Sequence, residues 1–195
     1  PAASATELVR AMEELRMPGA MLFSNVNGVG LDEERFWPLY EAANHRDAVL
    51  MIHPTSPVGL QAMSKYWLMP LNGFLFDTTL AASKLVFSGV VRRFPRIRWV
   101  LGHLGGTIRY LAERLDRGYR AFAECRAHID RPPTEYLKQH FYYDTVNFSQ
   151  GALKLAIEFA GADHILAGSD YPHQIGSIPL MLEAIRALPI PDDAK

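Results

Sequence analysis

Trp99-Val100-Leu101-Gly102-His103-Leu104-Gly105-Gly106 is an apolar run that stops on an imidazole and then on two glycines. A short apolar run closed by glycine reads as a buried strand, and a polar residue at its end sits on the rim of a sheet. The same grammar recurs on both sides. Val49-Leu50-Met51-Ile52-His53-Pro54 ends on His53, and Ile165-Leu166-Ala167-Gly168-Ser169-Asp170-Tyr171-Pro172 ends on Asp170. Helical periodicity separates the three runs, which predicts a parallel sheet with covering helices. Strands that end on polar side chains at one rim are how a (β/α) barrel assembles a site at its C-terminal face.

Working outward, strands are expected near residues 20–25, 48–52, 97–101, 141–146 and 164–167. Helices are expected over 6–16, from an Asp32 cap through His45, over 77–93, 107–126, 134–139, 151–159 and 178–188. Leu8, Met12 and Leu15 share one face of the first helix, and Leu111, Leu115 and Phe122 should point inward from the fourth. Residues 55–76 are rich in Pro, Gly, Met and aromatic side chains without a clean period, and read as an irregular insertion near the site face. No linker interrupts the β-α alternation, so residues 1–195 read as a single domain.

The bulk numbers narrow the function classes. Apolar residues make up 49% of the 195 and charged residues 21%, the balance of a soluble globular domain. A formal net charge of −1 gives no basic field for nucleic acid. No apolar run reaches the roughly 20 residues of a membrane span. The lone Cys125 excludes an intrachain disulfide framework and fits a reducing cytoplasm. No basic, apolar leader opens the chain; it begins on Pro1 rather than Met, so its start is expected to be processed or missing.

Each rim residue has a plain and a chemical reading. His53 could cap its strand by hydrogen bonding, or ligate a metal. The glycines after His103 could serve a tight βα turn, or leave helix N-terminal amides free for an anion. Asp170 could cap the next helix, but Tyr171-Pro172 and the distance to Ile178 argue against that. A carboxylate at the end of an apolar strand must be solvated, paired or bound to metal. Two imidazoles and a carboxylate on one rim suit Zn²⁺ or a similar divalent ion.

Taken in order, His53-Pro54, Gly102-His103-Leu104-Gly105-Gly106 and Gly168-Ser169-Asp170-Tyr171-Pro172 resemble the motifs of the amidohydrolase-2 family. The likeness extends over Ser64-Lys65-Tyr66, Asp77-Thr78-Thr79, Phe94-Pro95 and Glu113-Arg114-Leu115-Asp116-Arg117-Gly118. It implies a (β/α)8 TIM-like barrel holding one divalent metal, commonly zinc and sometimes manganese. His53 matches the ligand on the fifth barrel strand and Asp170 the ligand on the eighth. His103 matches the histidine of the sixth strand that handles a water on the metal or a substrate proton, so His103 and Asp170 are the expected catalytic pair. Arg114 matches an arginine that, in decarboxylases of the family, reaches the neighbouring subunit's site to hold a substrate carboxylate; its plain reading is a solvated helix face. A homodimer and a small carboxylate substrate follow.

Two departures stand out. The family places a His-x-His or Glu-x-His pair on its first strand, and no such pair precedes His53. The five strands therefore correspond to barrel strands four to eight, and the chain is expected to be the C-terminal part of a longer protein. A pocket tryptophan of the decarboxylases falls about where this chain has Pro70, with Trp67 nearby as the expected substrate contact. The leading expectation is non-oxidative decarboxylation of a small unsaturated or aromatic acid. Hydrolysis of a lactone, ester or amide at the same metal is an alternative, as is a non-catalytic remnant with a binding or structural role.

Overall fold

The structure, a computed structural model, describes residues 1–195. Its centre is a five-stranded parallel sheet. In chain order the strands are β1 (Gly19–Phe23), β2 (Asn25–Val26), β3 (Val29–Gly30), β4 (Val49–His53), β5 (Arg98–Leu101), β6 (Phe141–Asp144) and β7 (Ile165–Leu166). The sheet runs β1-β4-β5-β6-β7, each strand beside its predecessor, while β2 and β3 form a separate two-stranded ribbon. The helices are α1 (Ala2–Glu13), α2 (Trp37–His45), α3 (Phe74–Phe87), α4 (Val90–Arg93), α5 (Ile108–Ala121), α6 (Pro133–Gln139), α7 (Gln150–Ala160) and α8 (Ile178–Arg186).

Alternation along the strands divides the sheet into two faces. Leu50, Ile52, Trp99, Leu101, Phe141 and Tyr143 are wholly buried in the main core with helix residues such as Tyr40, Leu85 and Ile108. Tyr40 meets Trp99 edge-on at 5.5 Å, an arrangement that adds to the burial of both rings. The opposite face is less covered, and Met21, Phe23 and Leu166 are exposed on it. The register sets Phe23 opposite His53 and Met51 opposite Val100, so the ends of β1, β4 and β5 share one rim.

Several boundaries differ from expectation, each for a local reason. The first helix ends at Glu13 because the chain turns at Arg16 (φ 57°) into β1, which leaves Leu15 exposed rather than on the packed face. Asn27-Gly28 is the turn between β2 and β3, closed by the Gly28 N–H on Asn25 Oδ1 at 3.0 Å. Asp32 caps no helix: Pro38 favours a later start at Trp37, and Asp32 pairs with Lys84 at 3.3 Å. The 77–93 helix starts earlier, at Phe74, and is split at Ser88-Gly89. Residues 55–76 contain a 3₁₀ turn over Leu60–Met63 and a π turn over Met69–Gly73 that leads directly into α3. The fourth predicted helix stops at Ala121, where Phe122 turns extended and is 64% exposed instead of inward. No helix is long and apolar enough to cross a membrane.

Candidate metal centre

His53 is the last residue of β4 and His103 follows β5 after a single residue, Gly102, so adjacent strands bring the two imidazoles together, ring centres 5.7 Å apart. Asp170 arrives from the segment after β7, with Oδ1 4.0 Å from Nε2 of His103. The three rim residues picked out by their strand ends thus form one cluster. Phe74 flanks it, 6.2 Å from the His53 ring and 6.1 Å from the His103 ring.

The hydrogen bonds around the cluster define what each group can do. Nδ1 of His53 lies 2.8 Å from the carbonyl oxygen of Pro54, so Nδ1 carries the proton and Nε2 keeps its lone pair. A ligating histidine is commonly oriented in this way through its other nitrogen. The Asp170 side chain is only 15% exposed, yet no N–H or O–H donates to its carboxylate. Such a carboxylate calls for a cation. Nδ1 of His103 is buried without a hydrogen-bond partner. One imidazole nitrogen and one carboxylate oxygen suit a borderline divalent ion. They fit as half of a mononuclear shell; no three His, Cys, Asp or Glu side chains are grouped to hold an ion by themselves.

Electrostatics favour neutral His103. Burial pushes its pKa below the ordinary histidine value, and His53 and His173 add to this, while Asp144 and Asp170 oppose it.

The turn that carries His103 is unusual. His103, Leu104, Gly105 and Gly106 have φ of 55°, 54°, 69° and 59°, four successive residues in left-handed backbone. For the two non-glycine residues this costs about 1–2 kcal/mol each. The glycines are needed for geometry: a Cβ on Gly105 would lie 2.7 Å from the Tyr143 ring, and one on Gly106 would run into the carbonyl of Leu75. Of the two readings of this Gly-Gly pair, the structure bears out the geometric one, and the Thr107 amide beyond it is already bonded to Thr79 Oγ1 at 2.9 Å.

Two residues beside the site escaped the sequence reading. Phe74 lay inside the segment taken as irregular. Asp144 closes β6 after Phe141-Tyr142-Tyr143, the same pattern of apolar run and polar end as the other three, but β propensity carried the expected strand on to Val146. The strand stops two residues earlier because Asp144 Oδ1 takes the Val146 amide itself, at 3.0 Å.

Other expected residues lie apart. Asp170 is no helix cap; Ser177 caps α8 by accepting the Leu180 N–H at 3.2 Å. Trp67 is 77% exposed and lines a shallow depression with Tyr66, Met63 and Pro70 that none of the rim residues borders. Arg114 lies exposed on α5 and makes no ion pair, whereas Arg117 and Arg120 both approach Glu113.

The amidohydrolase family model matches residues 1–195. A 2-amino-3-carboxymuconate-6-semialdehyde decarboxylase of Dictyostelium discoideum is 33% identical over 90% of this chain and 49% of its own length. The crystal structure of 5-carboxyvanillate decarboxylase from Sphingomonas paucimobilis superposes with a TM-score of 0.91 at 30% identity, over 100% of this chain and 59% of that one. A dihydroxybenzoic acid decarboxylase from Polaromonas sp., solved with bound manganese and the inhibitor 2-nitroresorcinol, superposes with a TM-score of 0.84 at 27% identity, over 97% of this chain and 60% of that one. The chain spans about half the length of the curated relatives it matches. The five parallel strands are thus part of a barrel of the TIM type.

Proposed function

The chain belongs to the amidohydrolase family, and from that membership we propose that the protein is a metal-dependent decarboxylase of small aromatic or unsaturated carboxylic acids. The observation that carries this reading is the rim cluster: two imidazoles 5.7 Å apart, with a nearly buried carboxylate 4.0 Å from the second. The relatives named above support the choice of decarboxylation over hydrolysis.

His53, through Nε2, and Asp170 would hold the metal, with further donors completing the shell. When bound, a divalent ion supplies Lewis acidity that holds and polarises substrate oxygens. Manganese stands beside zinc as the ion, because the Polaromonas sp. neighbour holds manganese. The bond between Pro54 O and His53 Nδ1 keeps the ligand face of the imidazole fixed. His103 is the proton carrier. Neutral at rest, it first takes up a proton from solvent; its lowered pKa then makes the protonated ring a stronger acid, suited to giving that proton away. The proton goes to the substrate carbon that bears the carboxylate. The carbon–carboxylate bond breaks, its electron pair stays on that carbon in the new C–H bond, and CO₂ leaves. Phe74, against both imidazoles, offers a flat apolar wall for a planar substrate and keeps water from the proton path.

Arg114 would meet a substrate carboxylate across a homodimer interface, which accounts for its exposed, unpaired state. Trp67 would border the substrate only from a neighbouring surface. A cytoplasmic location accords with the single free Cys125.

A panel of hydroxybenzoic and unsaturated acids, set beside lactones and esters, tests the reading on the full-length, metal-loaded protein. CO₂ release from an acid, lost on chelation and restored by Mn²⁺ or Zn²⁺, is the expected result. Turnover of a lactone or ester without CO₂ release would assign a hydrolase instead. No turnover of any compound by metal-loaded protein would favour a binding role.

A further inference from the structure

His103 and Asp170 come from segments far apart in the chain, and the end of β6 lies between them. Asp144 is buried, and both its oxygens are taken by backbone amides. Oδ2 accepts from His103 N at 3.0 Å; Oδ1 accepts from Leu104 N at 2.6 Å and Val146 N at 3.0 Å. With its oxygens so engaged, Asp144 is unsuited to ligating a metal or touching substrate. Its hydrogen bonds fall on the two non-glycine residues of the left-handed turn, where the backbone most needs support. From the other side, the Arg109 guanidinium donates to the Leu104 carbonyl, so the same short turn is held at amide and carbonyl.

The neighbouring residue holds the other arm. Thr145 Oγ1 donates to the Gly168 carbonyl at 3.0 Å and accepts the Gly168 N–H at 2.9 Å. Gly168 is two residues before Asp170. Asp144 packs against that glycine too: a Cβ there would lie 2.9 Å from Asp144 Cβ. The pair 144–145 therefore contacts the backbone of both arms.

We propose that Asp144 and Thr145 are positioning residues, a brace at the end of β6 that sets the separation between His103 and Asp170. The inference rests on the reading of His103 as the proton carrier only for its kinetic consequence; the geometric consequence stands without it. A misplacement of about 1 Å at a reacting group can reduce turnover about 100-fold.

The test uses Asp144→Asn, Thr145→Val and Thr145→Ser in the full-length, metal-loaded protein. Crystal structures read the distance from His103 Nε2 to Asp170 Oδ1. Asp144→Asn turns one acceptor into a donor facing an N–H, and Thr145→Val removes the hydroxyl at nearly constant shape. Each is expected to move that distance from 4.0 Å by more than about 0.5 Å, the tolerance of a productive site. On decarboxylation, both should lower kcat at least ~10-fold with KM changed less than ~3-fold, since positioning acts on the transition state rather than on binding. Thr145→Ser, which keeps both hydrogen bonds to Gly168, should restore most of what Thr145→Val loses. An unmoved distance in a folded Thr145→Val protein overturns the brace, whether or not the protein proves to be a decarboxylase. So does a Thr145→Ser variant as impaired as Thr145→Val. Should Asp144→Asn fail to fold, the Thr145 pair decides alone. A moved distance in a protein that decarboxylates nothing would support the brace while refuting the proposed activity.

Discussion

Nε2 of His103 stands 4.0 Å from Oδ1 of Asp170, across the ends of strands that are separated in the sheet by β6. The carboxylate has no hydrogen-bond donor of its own, which is why it is proposed to hold a metal together with His53. Asp170→Asn and His53→Asn should each weaken divalent-metal binding by ~100-fold or more, since even outer-shell changes cost about 10–100-fold. Metal content after dialysis, measured on folded full-length protein, checks this. One equivalent retained in both variants would remove these residues from the ligand set.

Phe74 contacts both imidazoles, so Phe74→Leu separates an apolar role from an aromatic one. Loss of ring contacts worth about 0.5–1.5 kcal/mol should raise KM for a planar acid between about 2-fold and 12-fold. The effect should be smaller for a non-planar unsaturated acid. Equal effects on both would show that Phe74 only fills space.

Gly106→Ala should be strongly destabilising. Its φ is 59°, and the added methyl would lie 2.7 Å from Thr79 Oγ1 and closer still to the Leu75 carbonyl. Overpacking and backbone strain together come to about 2–6 kcal/mol. Gly118→Ala, in α5 with nothing nearer than 3.9 Å, should instead gain about 0.5–1 kcal/mol. Denaturant midpoints of the two variants measure the contrast.

Acid should destabilise the fold through His140. This residue is buried between α6 and β6, stacked on Tyr136 at 6.2 Å. Burial holds its pKa below 6.5, with Arg131 and His164 adding and a backbone hydrogen bond to Pro95 opposing. As pH falls through 6.5, the unfolded chain takes up a proton that the folded chain refuses, so stability drops across the window below 6.5. His103, lowered in the same direction, contributes with the same sign. His140→Gln should make the fall in denaturation midpoint between about pH 7 and pH 5.5 shallower. An unchanged slope would show that His140 titrates alike in both states.

The strands and the three rim residues were legible because each combines an apolar run, a polar end and a glycine or proline stop. That punctuation survives folding: His53, His103 and Asp170 meet where the alternation places them. What stayed hidden depends on contacts across the chain. β propensity favoured continuing β6 past Tyr142-Tyr143, and only the capture of the Val146 amide by Asp144 ends it. Phe74 could not be assigned from its neighbours, because the π turn before it merges into α3 without a breaker. Phe122 was misplaced because the helical period continues in sequence beyond the point where the backbone leaves the helix.

The central claim is that His103 delivers the proton in a metal-dependent decarboxylation. Its most direct measurement is the rate of CO₂ release by full-length, metal-loaded protein against its His103→Asn variant, with metal content determined on the same samples. The expected result is a fall of ~10²–10⁴-fold, the range for a lost general acid, at unchanged metal occupancy. CO₂ release at an undiminished rate in the variant, or at an undiminished rate after the metal is stripped, would contradict it.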